Sequence, residues 1–122
     1  MCYNLWGLEY SRPGRTMNWT VSIHPQVIKF VNKHLSPEDR VRVLDLFDRL
    51  ETYGTQLGRP YTRQIEGKLW ELRPQTTRGT YRFLYFASGQ RFLIVVALRK
   101  RTRVGERTKR TAENRLVYFD EE

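Results

Sequence analysis

Hydrophobic and polar residues alternate along three neighbouring segments in the second half of the chain. Residues 69–73 and 81–86 alternate with a period of two, and residues 92–98 are apolar throughout. Period-two alternation is typical of a strand with one buried face, and a short unbroken apolar run is typical of a strand buried on both faces. The pattern therefore predicts three strands, the last two joined by a hairpin turn in which Gly89 supplies a positive φ angle.

The first half of the chain has a different period. A strand pattern begins at Met17, and residues 25–35 then place apolar side chains three and four positions apart, as one face of a helix does. Ser36 followed by Pro37 is typical of the start of a second helix, which we expect to end at Gly54. Two helices with so tight a joint predict a helical hairpin.

The order of these elements predicts an α+β fold. We expect the N-terminal helical hairpin to pack on one face of a small, mainly antiparallel, curved sheet, with a C-terminal helix over residues 106–119 and the other sheet face open. We expect residues 17–122 to fold as a single domain. Residues 1–16 are an N-terminal extension without a clear period, and either they are flexible or Trp6 and Leu8 dock on the domain.

Charge narrows the range of functions. The 122 residues include 22 Lys and Arg against 13 Asp and Glu, and the net charge of +9 favours a polyanionic partner over a merely soluble basic protein. The basic excess concentrates at residues 99–110, whereas we expect the acids of the second helix to form a solvated outer face. A single cysteine excludes an internal disulfide, and no apolar run is long enough for a membrane span. A cytoplasmic protein without metal or cofactor is the default interpretation.

Arginines and tyrosines are the residues on the predicted strands that can carry chemistry. Arg73 and Arg82 belong to strands that should be neighbours, and convergent guanidinium groups bind phosphate oxygens, although each arginine could instead only solubilise the sheet. Tyr81 and Tyr85 offer flat faces on which unpaired bases stack, or else they pack in the core. Histidines and acidic clusters are lacking near these strands. The reaction that survives is metal-free attack by a ribose 2′-hydroxyl on its own 3′-phosphate.

The same segments resemble a known superfamily of toxins. Residues 69–73 read Leu-Trp-Glu-Leu-Arg, residues 79–86 read Gly-Thr-Tyr-Arg-Phe-Leu-Tyr-Phe, and residues 99–102 read Arg-Lys-Arg-Thr. In this order, and over residues 19–119, the chain is similar to the RelE/ParE superfamily, and most of all to its HigB-like, phage-derived branch. The resemblance implies a compact α+β fold with an N-terminal helical hairpin.

The resemblance also implies a function. HigB-like proteins are toxins of type II toxin–antitoxin systems that cleave mRNA on the ribosome and so block translation. The implied partners are the ribosome, mRNA and a HigA-like antitoxin with a helix-turn-helix, through which alone the toxin would reach operator DNA. Two alternatives stay open at this stage: a ParE-like poison of DNA gyrase, and a non-enzymatic phage regulator that binds nucleic acid.

Site residues follow from the resemblance one by one. RelE carries two lysines on the strand where this chain has Leu69 and Glu71. The identity of the general base is therefore open among Lys68, Lys100, Tyr81 and Glu71. The predicted catalytic residues are Arg73, Arg82, Lys100 and Tyr81, and the predicted RNA-binding residues are Lys68, Tyr85, Arg99, Arg101, Arg103 and Arg107.

Overall fold

The computed structural model describes residues 19–99 and 103–120, so the predicted extension at 1–16 lies outside the described residues. Within these ranges no helix is both long and apolar enough to cross a membrane. The elements are β1 Thr20–Ile23, α1 Pro25–His34, α2 Pro37–Tyr53, a 3₁₀ turn Gly54–Gln56, β2 Thr62–Glu66, β3 Leu69–Leu72, β4 Gln75–Thr76, β5 Gly79–Thr80, β6 Arg82–Ser88, β7 Arg91–Leu98, α3 Glu106–Arg115 and α4 Val117–Asp120.

Five strands form one sheet in the order β1-β7-β6-β3-β2. β1 runs parallel to β7, and the other neighbouring pairs are antiparallel, which confirms a mixed α and β fold with a mainly antiparallel sheet. β7 lies between β1 and β6, and its residues from Phe92 to Val96 are buried, as the unbroken apolar run predicted. β4 and β5 pair with each other as a separate short hairpin.

Local capping residues set the bounds of α2. The Oγ atom of Ser36 accepts a hydrogen bond from the backbone N–H of Asp39 at 3.2 Å, and Pro37 occupies the first turn, where its missing N–H costs no helical hydrogen bond. The helix ends at Gly54, as the sequence predicted. α1 packs against β7, and α2 packs against β1 and β4. That the two helices pair with each other as a hairpin stays a prediction.

Gly54 can end α2 because it lacks a side chain. Its φ angle of 57° lies in the left-handed region that favours glycine. A Cβ atom at this position would also overlap the indole ring of Trp19. That ring stacks on Phe92 with the ring centres 4.9 Å apart. Trp19, the residue before β1, therefore packs against both the end of α2 and the sheet.

The sheet buries a core on each of its faces. On one face, residues of α1 and α2 pack over Phe83 and Ile94, and on the other, residues of α3 and α4 pack over Leu84 and Val95. The prediction that the second face is open was therefore wrong. The terminal helices carry apolar residues of their own, among them the buried Phe119, and these leave water only by covering that face.

Two acids of α2 depart from the predicted solvated face. Asp39 and Asp48 are 1% and 0% exposed, so the expectation of a fully solvated acidic face was wrong for both. Asp39 accepts a hydrogen bond from the backbone N–H of Thr77 at 2.9 Å and another from its hydroxyl at 2.8 Å. Thr77 lies in the turn between β4 and β5, so this carboxylate joins α2 to a short hairpin that the sequence pattern did not predict.

Candidate functional site

A buried carboxylate lies at the centre of the candidate site. Strand alternation directs Leu69 and Glu71 towards the face covered by α3 and α4, and Glu71 is fully buried. β2 runs antiparallel beside β3 and sets Arg63 directly opposite Glu71. The Nε atom of Arg63 lies 3.3 Å from Oε1 of Glu71, so the two strands are joined by an ion pair.

Two more arginines converge on the same carboxylate. Leu84 of β6 is the direct partner of Glu71, and Arg82 lies two residues before it on the same face. The Nε atom of Arg82 donates a hydrogen bond to Oε2 of Glu71 at 2.6 Å. Arg73 follows Glu71 by two residues, and its Nε atom is 3.7 Å from Oε1. We call Glu71 with Arg63, Arg73 and Arg82 the arginine cluster.

The arginine cluster carries positive charge that reaches solvent. Three guanidinium groups surround one carboxylate, which leaves a net charge of +2. The side chain of Arg82 is 13% exposed, whereas those of Arg63 and Arg73 are 48% and 40% exposed. Because Arg63 and Arg73 approach Glu71 through Nε, this contact leaves their terminal nitrogen atoms available to bind an anion.

Two polar atoms of the arginine cluster lack a hydrogen-bond partner among the described residues. Oε1 of Glu71 and Nε of Arg73 are buried, and neither has a hydrogen-bond partner among the described residues. Polar contacts in unliganded sites are often long and shorten when the ligand binds. A guanidinium group keeps its proton in proteins, so the cluster can bind a phosphate and stabilise its charge, but its arginines cannot act as a general base. No group of three or more His, Cys, Asp or Glu among the described residues is placed to hold a metal ion.

The structure separates the predicted tyrosines from the arginines. Tyr81 is 7% exposed and packs edge-on against Phe30, and Tyr85 is 4% exposed and packs edge-on against Phe92. Both lie in the core on the side of α1 and α2, whereas Arg82 points to the opposite face. Burial raises the pKa of the Tyr85 phenol to about 12. Neither tyrosine joins the arginine cluster or offers a free ring face on which a base could stack.

Lys68 and Arg99 lie at opposite ends of the sheet. Lys68 is in the turn before β3, roughly 16 Å from Arg73 for five residues of extended chain, so it does not join the cluster. Arg99 follows Leu98, the strand partner of Arg82, and therefore lies at the same end as the cluster. Its Nη2 atom is 2.8 Å from Nδ1 of His34. Burial and the nearby Arg99 lower the pKa of that histidine.

The remaining predicted residues follow β7. Lys100 and Arg101 lie outside the described residues, so their part in the site stays a prediction. Arg103 is exposed in the segment before α3, and Arg107 is exposed in the first turn of that helix. Neither arginine is among the described ion-pair partners of Glu71, which are Arg63, Arg73 and Arg82.

No strand at residues 62–66 was predicted from the sequence pattern, and Arg63 was therefore not recognised as a site residue. The missed element is β2, which pairs with β3 through a two-residue turn at Gly67 and Lys68. Gly67 has a φ angle of 54°. A glycine just before an alternating strand is a hairpin signal, and using it would have predicted β2 beside β3.

Arg73 lies between two pockets beside the arginine cluster. The smaller, which we call the basic pocket, has a volume of about 250 Å³. The larger, which we call the α2 groove, has a volume of about 500 Å³. It lies between α2 and two segments, residues 60–61 before β2 and residues 73–75 after β3. The basic pocket is lined by Arg59, Pro60, Thr62, Arg63 and Arg73, and the α2 groove is lined by Pro60 and Arg73 together with Val41, Arg49, Tyr61 and Gln75, among others.

Comparison with protein families identifies the family of this chain. Residues 32–117 match the family described as Phage derived protein Gp49-like (DUF891). The chain belongs to this Gp49-like family. The matched region begins near the end of α1 and continues into α4, so it contains all four residues of the arginine cluster and both pockets. A comparison with curated proteins gave no match.

Proposed function

We propose that this Gp49-like protein is the toxin of a type II toxin–antitoxin system and cleaves mRNA on the ribosome. The observation that carries the proposal is the arginine cluster, in which a buried Glu71 holds three guanidinium groups at one end of the sheet. The phage-derived family and the resemblance to HigB-like toxins agree with it.

The chemistry suited to such a site is phosphodiester cleavage without a metal ion. The 2′-hydroxyl oxygen attacks the adjacent phosphorus while the bond from phosphorus to the 5′ oxygen of the next nucleotide breaks. The products are a 2′,3′-cyclic phosphate and a 5′-hydroxyl group. Negative charge grows on the phosphate oxygens in the transition state, and guanidinium groups fixed in advance stabilise it without reorganisation.

The roles of the residues follow from their protonation and exposure. Arg73 and Arg63 are half-exposed and would contact the phosphate, whereas the more buried Arg82 would act mainly by holding charge beside it. Guanidinium groups cannot accept the proton of the 2′-hydroxyl, so another group must do so. We propose that Lys100, the residue after Arg99 in the sequence, accepts this proton in its neutral form and donates it to the departing 5′ oxygen.

The positive surface would also bring the protein to the ribosome. The basic pocket, the arginine cluster and the exposed Arg103 and Arg107 would contact rRNA or mRNA phosphates without reading sequence. Such contacts release counterions, so binding should weaken steeply as salt increases. Control would come from a HigA-like antitoxin with a helix-turn-helix, and operator DNA would be reached only through that partner.

Induced expression in a bacterial host, with the 5′ ends of all mRNAs mapped, tests the proposal. We expect growth arrest together with new 5′ ends in phase with codons. Damaged DNA with intact mRNA would identify a ParE-like gyrase poison instead, and normal growth would favour a binding protein without catalysis. Because Tyr81 and Tyr85 are buried, the arginines alone favour a nucleic-acid target over gyrase, and this comparison is therefore needed.

A further inference from the structure

Two pockets of different character meet at Arg73. The basic pocket and the α2 groove share Pro60 and Arg73 as lining residues, so they are adjacent and separated by those side chains. Both pockets are lined by three arginines, but Pro60 is the one apolar residue among those that line the basic pocket. The α2 groove has the carboxylate of Asp45 beside its arginines, and its wall is mostly apolar, with Val41, Leu46, Tyr61 and Pro74. A nucleotide has the same division, with a charged phosphate next to a flat base that has polar edges.

The basic pocket fits a phosphate group. Arg63 and Arg73 belong to the arginine cluster and share a single carboxylate, and Arg59 adds a third guanidinium. The side chain of Arg59 forms no hydrogen bond or ion pair with a residue in the ranges 19–99 and 103–120, and it is exposed. Surplus guanidinium groups around one small pocket suit the bidentate binding of phosphate oxygens.

The α2 groove fits a nucleobase. Its walls include Val41, Tyr61 and Pro74, and Val41 is 64% exposed although it is a large apolar residue. Arg49 lies over the ring of Tyr61 at 5.5 Å and donates a hydrogen bond to its hydroxyl at 3.2 Å, so a planar guanidinium is held at the groove. Bases stack on such flat faces, and the nearby Gln75 amide can reach the hydrogen-bonding edge of a base.

We propose that the two pockets together bind one nucleotide of single-stranded RNA, with its phosphate in the basic pocket and its base in the α2 groove. The proposal rests on the proposed function and deepens it, since it places sequence selection next to the phosphate that the arginine cluster holds. Base preference near the cut would then come from α2 and from the segment at Pro74 and Gln75, and not from Tyr81 and Tyr85.

A variant that fills the α2 groove tests the proposal. Val41→Trp adds a large ring at an exposed position of α2, and Val117→Trp is the matched control, because Val117 is 56% exposed on α4, outside the groove. We expect Val41→Trp to lower cutting about tenfold at the sites that the wild type prefers, as expected for one lost stacked base. Val117→Trp should keep the wild-type cuts in both position and amount.

A smaller change keeps the test valid if the tryptophan disturbs folding. Gln75→Leu keeps the approximate size of the exposed Gln75 side chain and removes its hydrogen-bonding group. We expect it to change which base is found next to the cut while total cutting stays within about threefold, a difference of under 1 kcal/mol in the barrier. Melting temperatures measured for each variant show that the folded protein is being compared.

The outcomes separate this proposal from the proposed function. If wild-type protein cuts mRNA and both groove variants cut the same sites equally well, the nucleotide subsite is overturned and the toxin function stands. If wild-type protein cuts no mRNA, both are overturned. Arg59→Ala adds a test of the basic pocket, for which we expect a loss of about tenfold at all sites alike, because a phosphate contact carries no sequence information.

Discussion

Glu71 and Asp39 are both buried carboxylates, but they have different surroundings. Asp39 is bonded to groups without net charge, the backbone N–H and hydroxyl of Thr77, and its backbone N–H is held by Ser36. Glu71 is surrounded by three guanidinium groups, two of them about half exposed. Each carboxylate joins different secondary-structure elements, yet only Glu71 has partners whose charge is available to a ligand.

The difference distinguishes a structural carboxylate from one that organises a site. The hydrogen bonds of Thr77 lower the pKa of Asp39, and burial opposes them. Each carboxylate oxygen of Asp39 accepts one of these two hydrogen bonds from Thr77. The arginine cluster has a net charge of +2 and two buried polar atoms without hydrogen-bond partners among the described residues, so a bound anion would complete it.

The largest effect on stability is expected for Glu71→Gln. The substitution keeps the shape of the side chain and removes a carboxylate with which three arginines pair, including the 13% exposed Arg82. Removing one partner of a buried ion pair is strongly destabilising, so the free energy of unfolding should fall by about 3 kcal/mol. Urea denaturation measures this change, and toxicity should be lost as the guanidinium groups separate.

A double-mutant cycle shows whether the loss belongs to the pair. Arg82→Gln combined with Glu71→Gln should be less destabilising than the sum of the two single changes, because the charge exposed by one substitution is absent in the other. Strict additivity would show that the two residues are not coupled, and the comparison with Asp39 would then lose its basis.

A smaller effect is expected for Asp39→Asn. The amide cannot replace the charge-assisted hydrogen bonds to the N–H and hydroxyl of Thr77, so the free energy of unfolding should fall by about 2 kcal/mol. Because the pKa of Asp39 is lowered in the folded protein, ionised Asp39 stabilises the wild type at pH values above the ordinary aspartate pKa. This stability is lost as pH falls through the pKa of Asp39 in the folded protein. The variant should therefore lose less stability than the wild type on acidification.

Activity provides the contrast with Glu71. Because Asp39 lies outside the arginine cluster, folded Asp39→Asn protein should cut mRNA as the wild type does. Full loss of cutting at a temperature where the variant is folded would contradict this expectation. It would mean that the contact between α2 and the β4–β5 hairpin is part of the site.

The smallest effect is expected for Tyr85→Phe. Tyr85 is a buried titratable group whose pKa is raised to about 12 by burial. An unfolded tyrosine ionises near pH 10, so wild-type stability is fully present below that pH and is lost as pH rises towards 12. The loss approaches about 1.4 kcal/mol per pH unit. The variant should lack this contribution, which unfolding curves between pH 9 and pH 11 (roughly one unit either side of the unfolded pKa) would reveal.

Local signals made much of the fold predictable. Ser36 and Gly54 bound α2 through interactions with their own neighbours in sequence, and the apolar run of β7 required burial on both faces. Alternation placed Arg82 on the face of Glu71 and, by the same rule, placed Tyr81 on the opposite face. The strand period itself therefore indicates that Arg82 and Tyr81 lie on opposite faces and cannot bind RNA side by side.

Other parts of the site depend on contacts between distant residues. The hydrogen bond between Thr77 and Asp39 joins residues 38 positions apart, and no local sequence pattern predicts it. Arg63 required recognition of an irregular edge strand, because a register shift between Gln64 and Glu66 interrupts the alternation of β2. That α3 and α4 cover the second face follows from tertiary packing, since an amphipathic terminal helix fits several surfaces equally well.

The most direct test of the arginine cluster compares Arg73→Ala with Arg78→Ala in mapped mRNA cleavage. Arg73 is 40% exposed, and its removal leaves Glu71 paired with Arg63 and Arg82, so the variant should fold. Arg78 is an exposed arginine in the β4–β5 turn and controls for the loss of one charge. We predict that Arg73→Ala lowers codon-phased cutting about a hundredfold or more and that Arg78→Ala leaves it unchanged. Equal cutting by the two variants, at equal amounts of folded protein, would contradict the assignment of the site.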